Sequence, residues 1–394
     1  MEKFNKIKIL DDNLINKIAA GEVIERPSSI VKELVENAID ANAKNISIEI
    51  KNGGKSYIKI QDDGTGIKKD EINTAFIRHS TSKITDIDDL DNILTLGFRG
   101  EALASIASIA RVEMTTKTEH DDIGTQISIE GGVFKSKKEI ATLVGSTFVI
   151  KDIFFNIPAR LKFLKKDASE SFYITEIITK LALGNPNVSF KYLNNNTEII
   201  STDGSGILKN TALYVYGGEI AKALLPIEAT KNNFKLTGLV GRPEISRGNR
   251  NYSNFFINNR YIKSKLVNDA IGEAYSGKLM NSKFPVVILN LTTPEGSVDV
   301  NVHPTKLEAR FENENFIYEF LIDSIEEELS KHILIPSIAV SKDKSIIKNN
   351  VEFNTNNNII DLTQASELDI NNSSADLSTP QALELDIKST TDLS

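Results

Sequence analysis

The sequence predicts an α+β protein of two folded parts followed by a polar tail. Residues 27–43, PSSIVKELVENAIDANA, repeat apolar side chains with the helical period, and the next two runs, Asn45–Lys51 and Tyr57–Asp62, alternate apolar and polar residues as half-buried strands do. A second series of strand-like and helix-like runs begins near Gly204-Ser205-Gly206 and extends for about 130 residues, an ordinary domain size. After Pro336 the chain becomes rich in Asn, Ser, Asp and Thr with few aromatics, a composition that cannot bury a core. The predicted parts are therefore residues 1–203, 204–336 and a disordered acidic linker or tail, 337–394.

The elements follow in order. Residues 14–20 form a short apolar helix candidate that ends at Gly21. In the 27–43 helix, Pro27 suits the first turn, where its missing N–H is no loss, and Ile30, Val31, Leu34, Val35, Ala38 and Ile39 form one wide apolar face. The opposite stripe carries Glu33, Glu36, Asn37 and Asp40, with no cation four residues after either glutamate. Such a stripe is either a poorly paired solvated face or one that awaits a cation from elsewhere. Gly53-Gly54 marks a hairpin between the first two strands. Asp62-Asp63-Gly64-Thr65-Gly66-Ile67 then forms a glycine-rich turn off a strand end. Residues 78–100 are polar, long and without period, as lids often are. A small-residue helix over 101–110 opens directly after Phe98-Arg99-Gly100. Strands follow at 111–117, 124–130 and 145–151, then the segment FFNIPARLKFL at 154–164 and a helix over 169–183. The second part contains strand candidates at 235–240, 255–257, 286–291 and 298–301, and helix candidates at 265–275 and 316–331. In the tail, DLTQASELDI at 361–370 is nearly repeated by DLSTPQALELDI at 376–387; two copies are too few for a solenoid and read as slippage in a tolerant segment.

Composition narrows the function classes. The 394 residues are 40% hydrophobic and 25% charged, as in ordinary globular proteins. No apolar run reaches the ~20 residues of a membrane span, and MEKFNKIKIL lacks the apolar core of a secretion signal, so a cytoplasmic protein is expected. The chain has no Cys, which removes disulfides, thiolate metal sites and a Cys nucleophile, and its four His are scattered. The net charge of −8 is uneven: residues 337–394 hold nine acids against four lysines, which leaves the first 336 residues at −3. Whole-chain acidity therefore does not argue against a nucleic-acid partner.

Several glycine-marked elements join the 27–43 helix in one constellation. A carboxylate at Asp62 can accept a hydrogen bond from an exocyclic amine such as adenine N6, beside glycines that allow close approach. Leu96-Gly97-Phe98-Arg99-Gly100-Glu101 sets backbone N–H groups at a helix N-terminus, which makes a phosphate cradle. Gly145-Ser146-Thr147 opens a strand and offers a hydroxyl. Each alone is common; the order and spacing are specific. ELVENAIDA, DDGTGI, RHSTSK, LGFRGEAL and GSTFVIKDIFFNIPARLKFL resemble the GHKL ATPase superfamily of gyrase, heat-shock chaperones, histidine kinases and MutL. AAGEVIERP at 19–27 and VDVNVHPTKLEARF at 298–311 are similar to the MutL family of DNA mismatch repair proteins in particular. The resemblance covers roughly residues 7–331.

That resemblance implies a GHKL-type (Bergerat) ATPase α/β sandwich followed by a ribosomal-protein-like α/β transducer domain. It implies ATP and Mg²⁺ as ligands. Glu33 would be the general base toward the attacking water, and Asn37, one turn later, would ligate Mg²⁺ through its amide oxygen. Asp62, helped by Thr147, would read the adenine amine, with Gly64 and Gly66 admitting the base. Lys83 and the backbone of Gly97, Phe98, Arg99, Gly100 and Glu101 would close over the triphosphate. Lys306 would reach the γ-phosphate and stabilise its charge. Glu36 and Asp40 receive no role. In MutL relatives, ATP closes the N-terminal regions of two subunits into a dimer, with residues 1–20 helping to bridge them, and hydrolysis resets the clamp. The implied partners are DNA, bound without regard to sequence, the mismatch-recognition protein MutS and downstream repair factors.

For DNA, the cations Arg242, Arg247, Arg250, Arg260, Lys263 and Lys265 interleave with Tyr252, Phe255, Phe256 and Tyr261; cations track phosphates and aromatics stack on single strands. Arg260, Lys263 and Lys265 are the DNA-binding candidates. MutL proteins usually continue past the linker to a dimerisation domain, often with a metal-dependent endonuclease. This chain stops inside what resembles the linker and has no later Cys/His/Glu cluster, so no nuclease activity is expected. A histidine kinase would need a phosphoacceptor domain and a gyrase a far longer chain. The remaining rival is a scaffold that binds ATP and DNA without productive turnover.

Overall fold

The computed structural model describes residues 21, 23–81, 100–294, 296–299 and 309–333. Helix α1 (Pro27–Asp40) begins with Pro27 in its first turn and buries Ile30, Val31, Leu34, Val35 and Ala38, the predicted apolar face. It ends at Ala41, whose N–H donates to the Asn37 carbonyl at 2.9 Å, and Asn42 then turns with a φ of 60°. β1 (Asn45–Lys51) and β2 (Tyr57–Asp62) pair antiparallel through the predicted Gly53-Gly54 hairpin. Both glycines have positive φ, and a Cβ on Gly53 would meet a backbone carbonyl, that of Asp167, at 2.8 Å.

The remaining elements of the first sheet are α2 (Ile72–Ala75), α3 (Ala102–Ile109), β3 (Arg111–Lys117), β4 (Gly124–Glu130), β5 (Val133–Ile140), β6 (Gly145–Lys151), α4 (Pro158–Phe163), α5 (Asp167–Gly184), β7 (Ser189–Asn194) and β8 (Thr197–Ser201). Eight strands run in the order β5-β4-β3-β6-β2-β1-β7-β8, antiparallel except for the β1–β7 pair. Inward residues stack across the register: Ile48 opposite Ile60, Ile60 opposite Phe148, Phe148 opposite Met114, Met114 opposite Ile127. Ile30, Val31, Leu34 and Val35 of α1 and Ile174 and Ile178 of α5 share this core. The strands' other parity is half-buried or exposed and carries ion pairs such as Lys151–Glu113 at 2.8 Å. The result is a helical layer on one face of an antiparallel-dominated sheet, the α+β arrangement expected.

A second sheet follows α6 (Leu208–Tyr216) and α7 (Gly218–Lys222). Its strands are β9 (Leu224–Lys231), β10 (Phe234–Gly241), β11 (Ser253–Ile257), β12 (Arg260–Tyr261) and β13 (Val287–Thr292), in the order β12-β11-β13-β10-β9, with β11 and β13 parallel. Its core joins Leu236, Val240, Phe255, Val287 and Leu289 to Val267 and Ile271 of α8 (Lys265–Ala274) and to Phe320, Leu321 and Ile325 of α9 (Glu314–Ile333). A two-residue pair, β14 (Val298–Asp299) with β15 (Arg310–Phe311), accompanies it.

The two sheets belong to one compact unit and touch through named side chains. Lys180 of α5 sits 4.4 Å over the Tyr261 ring. Within the second part, Asn254 Nδ2 donates to Tyr216 Oη of α6 at 2.7 Å. A Cβ on Gly184 would meet the Asn259 carbonyl at 2.8 Å, so α5 and the β11–β12 turn approach at backbone distance.

Candidate functional site

α1 supplies the first wall. Glu33 and Asn37 are half-buried on its polar stripe, while Glu36 is only 6% exposed. The expectation of a stripe with no cation of its own is corrected: Lys32 Nζ lies 3.4 Å from Glu33 Oε1 and 3.2 Å from Glu36 Oε1. Lys32 precedes Glu36 by four residues, whereas the expectation considered only cations that follow the acids. Burial alone would lower the Lys32 pKa, but Glu36 and Glu33 outweigh it and raise it.

The second wall is the corner where β2 ends. The main-chain N–H groups of Gly64 and Ser146 donate to Asp62 Oδ1 at 2.9 and 3.3 Å, and Oδ2 has no partner among the described residues. Burial pushes the Asp62 pKa up against those two bonds. Neighbouring Asp63 is exposed and accepts from Lys44 N, Asn45 N and Asn45 Nδ2 at 2.7–2.8 Å. Its slight burial would raise its pKa, yet those donors hold it below the ordinary aspartate value. Asp63 is thus a structural brace, and Asp62 the carboxylate with capacity left over.

The turn after Asp62 is strapped to α1. Thr65 N–H donates to the Ala41 carbonyl at 3.0 Å, and a Cβ on Gly64 would lie 2.8 Å from that same oxygen. This brings the Asp62 corner to the end of the helix that carries Asn37. The glycines serve the chain's own packing: Gly66 has a φ of 73° and a Cβ there would fall 2.2 Å from the Lys117 carbonyl, while Gly145 presses equally close to the Asp62 carbonyl.

Thr147 is a correction. In the β2–β6 register Asp62 faces Ser146, whereas Thr147 is opposite Gln61 and, across β3, Thr115. Successive strand residues point to opposite faces, so Thr147 stands on the far side of the sheet from Asp62. Ser146 occupies the position beside it. Thr116, also missed from sequence, joins it: Thr116 Oγ1 lies 3.1 Å from Ser146 Oγ and accepts from Ile67 N–H at 2.9 Å. The parity of Phe148 and Ile150, both core residues, was the available signal, since counting back by two from them reaches 146.

The third wall is the N-terminus of α3. A Cβ on Gly100, whose φ is 63°, would lie 2.5 Å from the Ser80 carbonyl, and His79 Nδ1 is 3.3 Å from Glu101 Oε1. The two ends of the predicted lid therefore meet at the start of that helix. Lys83, Gly97, Phe98, Arg99 and Lys306, together with residues 1–20 and the tail, lie outside the described residues.

The predicted DNA face divides. Lys263 and Lys265 are exposed; Lys265 sits in the first turn of α8 and pairs with Asp269. Arg260 is corrected: it is only 9% exposed and has no surface to offer a phosphate backbone. Burial lowers its pKa, opposed by the charges of Glu36, Asp40 and Glu33 in that order. The aromatics are corrected too. Tyr252, Phe255 and Phe256 are buried, and Tyr261 is half-buried beneath Lys180, so none is a free stacking platform.

Among the described residues no group of three or more His, Cys, Asp or Glu could hold a metal ion, and no helix is long and apolar enough to cross a membrane. Residues 25–152 match the family of histidine kinase-, DNA gyrase B- and HSP90-like ATPases, and residues 212–330 match the DNA mismatch repair protein C-terminal domain. The chain is 49% identical over 334 residues to the DNA mismatch repair protein MutL of Agathobacter rectalis, covering 85% of this chain and 51% of that protein. It is 46% identical over 359 residues to MutL of Clostridium botulinum, covering 91% and 53%. Among solved structures, the N-terminal domain of a DNA repair protein aligns with a TM-score of 0.69 at 25% identity, over 80% of this chain and 98% of that one. The Aquifex aeolicus MutL ATPase domain complexed with ADP aligns with a TM-score of 0.56 at 25% identity, over 76% and 98%. The chain spans about half the length of the curated relatives it matches. With a GHKL-type ATPase unit followed by a mismatch-repair unit in one chain, this protein belongs to the MutL family.

Proposed function

We propose that the chain binds and slowly hydrolyses ATP, and that the nucleotide drives a conformational clamp in DNA mismatch repair. The observation that carries this reading is the Asp62 corner, a half-buried carboxylate with one oxygen satisfied and one left over, tied to the end of α1. An unsatisfied acceptor at that place fits an exocyclic amine, and Ser146 and Thr116 beside it offer hydroxyls to a ring nitrogen or a bridging water. Glu33 would orient or deprotonate the attacking water. Asn37, on the same stripe, has the donor chemistry of a single protein ligand for Mg²⁺, which otherwise takes waters and phosphate oxygens. When bound, the cation supplies charge neutralisation of the phosphates. The start of α3, with Gly100 and Glu101 before it, offers the N–H groups of a first helical turn to anions. Lys83, Gly97, Phe98, Arg99 and Lys306 keep the lid and γ-phosphate roles that the family resemblance implies.

In this reading the boundaries 203/204 and 336/337 separate the nucleotide unit, the transducer and the linker. Lys263 and Lys265 remain as phosphate-tracking cations for DNA, and MutS, downstream repair factors and a second copy of the chain are the protein partners. The test is ATP hydrolysis and ATP binding, measured side by side in wild type and Glu33→Ala. The reading predicts a loss of turnover of about 10²-fold or more with binding retained. Equal turnover in the two proteins would remove Glu33 as the base, and absence of nucleotide binding in wild type would remove the reading itself.

A further inference from the structure

α5 has 18 residues, a length of about 27 Å, and turns of the chain grip it at both ends. At its first turn, a Cβ on Gly53 of the β1–β2 hairpin would lie 2.8 Å from the Asp167 carbonyl. One on Gly54 would lie 3.0 Å from both Ile174 of α5 and Pro27 of α1. At its last turn, a Cβ on Gly184 would lie 2.8 Å from the Asn259 carbonyl and 2.9 Å from the Phe256 ring. The β11–β12 turn that supplies Asn259 is itself braced. Asn258 and Asn259 hold φ of 48° and 67°. Asn259 N–H donates to Asn290 Oδ1 at 3.0 Å, and Asn290 Nδ2 donates back to Asn259 Oδ1 at 2.9 Å. One helical turn before Gly184, on the same face of α5, Lys180 is only 6% exposed. It bonds Glu176, a further turn back, and stands 4.4 Å over the Tyr261 ring, which meets Phe256 edge-on at 5.9 Å. Lysine is rarely this buried unless paired, and a desolvated ammonium over an aromatic face is a strong pairing. The seam between the two sheets thus follows one stripe of α5, Glu176, Lys180 and Gly184, against the β11–β12 hairpin.

We infer that Lys180 and Tyr261 are positioning residues for ATP hydrolysis, a contact that fixes, through α5, how the second sheet stands on the ATPase unit. α5 packs on α1 as well as on β12, so the helix that carries Glu33 and the second sheet share one bar. The inference rests on the proposed role of Lys306 at the γ-phosphate, since that is the group the second part contributes to the reaction. An apolar side chain at position 180 would fill the seam by area alone. The ammonium, held by Glu176 on one side and the ring on the other, also specifies where the ring sits. Lys180 and Tyr261 act on distance and angle rather than on the phosphates. A reacting group displaced by about 1 Å costs turnover well before it costs affinity.

The test uses the full chain, with kcat from steady-state ATP hydrolysis and Kd for ATP measured separately and each variant checked for a cooperative melt. Lys180→Met and Tyr261→Leu are each expected to lose about fivefold or more in kcat while the ATP Kd moves less than about threefold. Lys180→Arg and Tyr261→Phe keep the cation and the ring, and stay within about twofold of wild type. Lys306→Ala loses turnover on its own, and adding Lys180→Met to it costs less than about twofold more, because the group that the seam places is already gone. Wild-type kcat in a folded Lys180→Met or Tyr261→Leu protein overturns the inference, and Tyr261→Leu decides if Lys180→Met does not fold. A Lys180→Met loss that persists at full size in the Lys306→Ala background overturns it too, as does a parallel loss of binding and rate without rescue by Arg or Phe. Loss of turnover in Lys306→Ala with none in Lys180→Met strikes the inference alone. Wild-type turnover in Lys306→Ala strikes the proposed role of that lysine, and the inference with it, so the two failures are distinguishable.

Discussion

Asp62 and Arg260 are both charged groups drawn partly out of water at strand positions, and they are compensated in opposite ways. Asp62 meets two neutral N–H donors on one oxygen, and burial leaves its pKa raised. Burial lowers the Arg260 pKa, and the charges of Glu36, Asp40 and Glu33 oppose that shift, while its side chain is held inside the protein. The first group is under-compensated and has capacity for a ligand; the second is answered by the protein itself. A charge drawn out of water marks a binding site when the protein leaves part of it unanswered, and a structural tie when it does not.

Asp62→Asn breaks the comparison at its ligand side. The amide oxygen keeps both N–H bonds, but its NH₂ opposes an incoming amine, so ATP affinity is expected to fall by about 2–3 kcal/mol, read by equilibrium titration. The same variant should not cost stability. Because the folded pKa of Asp62 lies above the unfolded one, the folded state holds more protons between the two values. The contribution of this group is therefore greatest below its ordinary pKa and falls as pH rises through the raised one. Asp62→Asn removes that slope, and thermal melts against pH in the mildly acidic range will show a flatter profile than wild type. Asp63 works in the reverse sense, stabilising above its ordinary value and losing that contribution as pH falls through its lowered one.

The cationic side is sharpened by Lys263→Glu/Lys265→Glu. Each exposed lysine that neutralises a phosphate contributes about one to the slope of log K against log salt, so the double variant should bind DNA more weakly with a slope smaller by about two. Unchanged affinity and slope would take DNA off this face. The smallest effects separate the faces of β6. Ser146→Ala should weaken nucleotide binding by about 1 kcal/mol, and Thr147→Ala by less than about 0.5 kcal/mol. The opposite order would restore the original assignment.

Much of this was legible because periodicity is strong where burial is one-sided. α1 follows from the helical period of its apolar residues, the hairpin from Gly53-Gly54, and β3, β4 and β6 from alternation of Ile, Val, Met and Phe with polar residues. β5 was not legible: VFKSKKEI is exposed almost throughout and carries no alternation. β9 was hidden by Pro226, which the strand tolerates as the edge of its sheet. The site followed the same division. Asp62 and the glycine turn stand out locally, whereas the choice of Ser146 over Thr147 needs strand parity. Thr116 needs the β3–β6 register, and Arg260 needs burial, because a run of cations reads alike until the fold assigns each a side.

Everything proposed for the nucleotide turns on Asp62 Oδ2 as the acceptor for an exocyclic amine. The affinity of the wild-type chain for ATP against inosine triphosphate tests this acceptor most directly, because inosine replaces the amine with a carbonyl oxygen and turns N1 from an acceptor into a donor. ATP is expected to bind tighter by on the order of 10²-fold, since the inosine oxygen would confront an unpaired carboxylate oxygen. Equal affinity for the two nucleotides would contradict that role for Asp62.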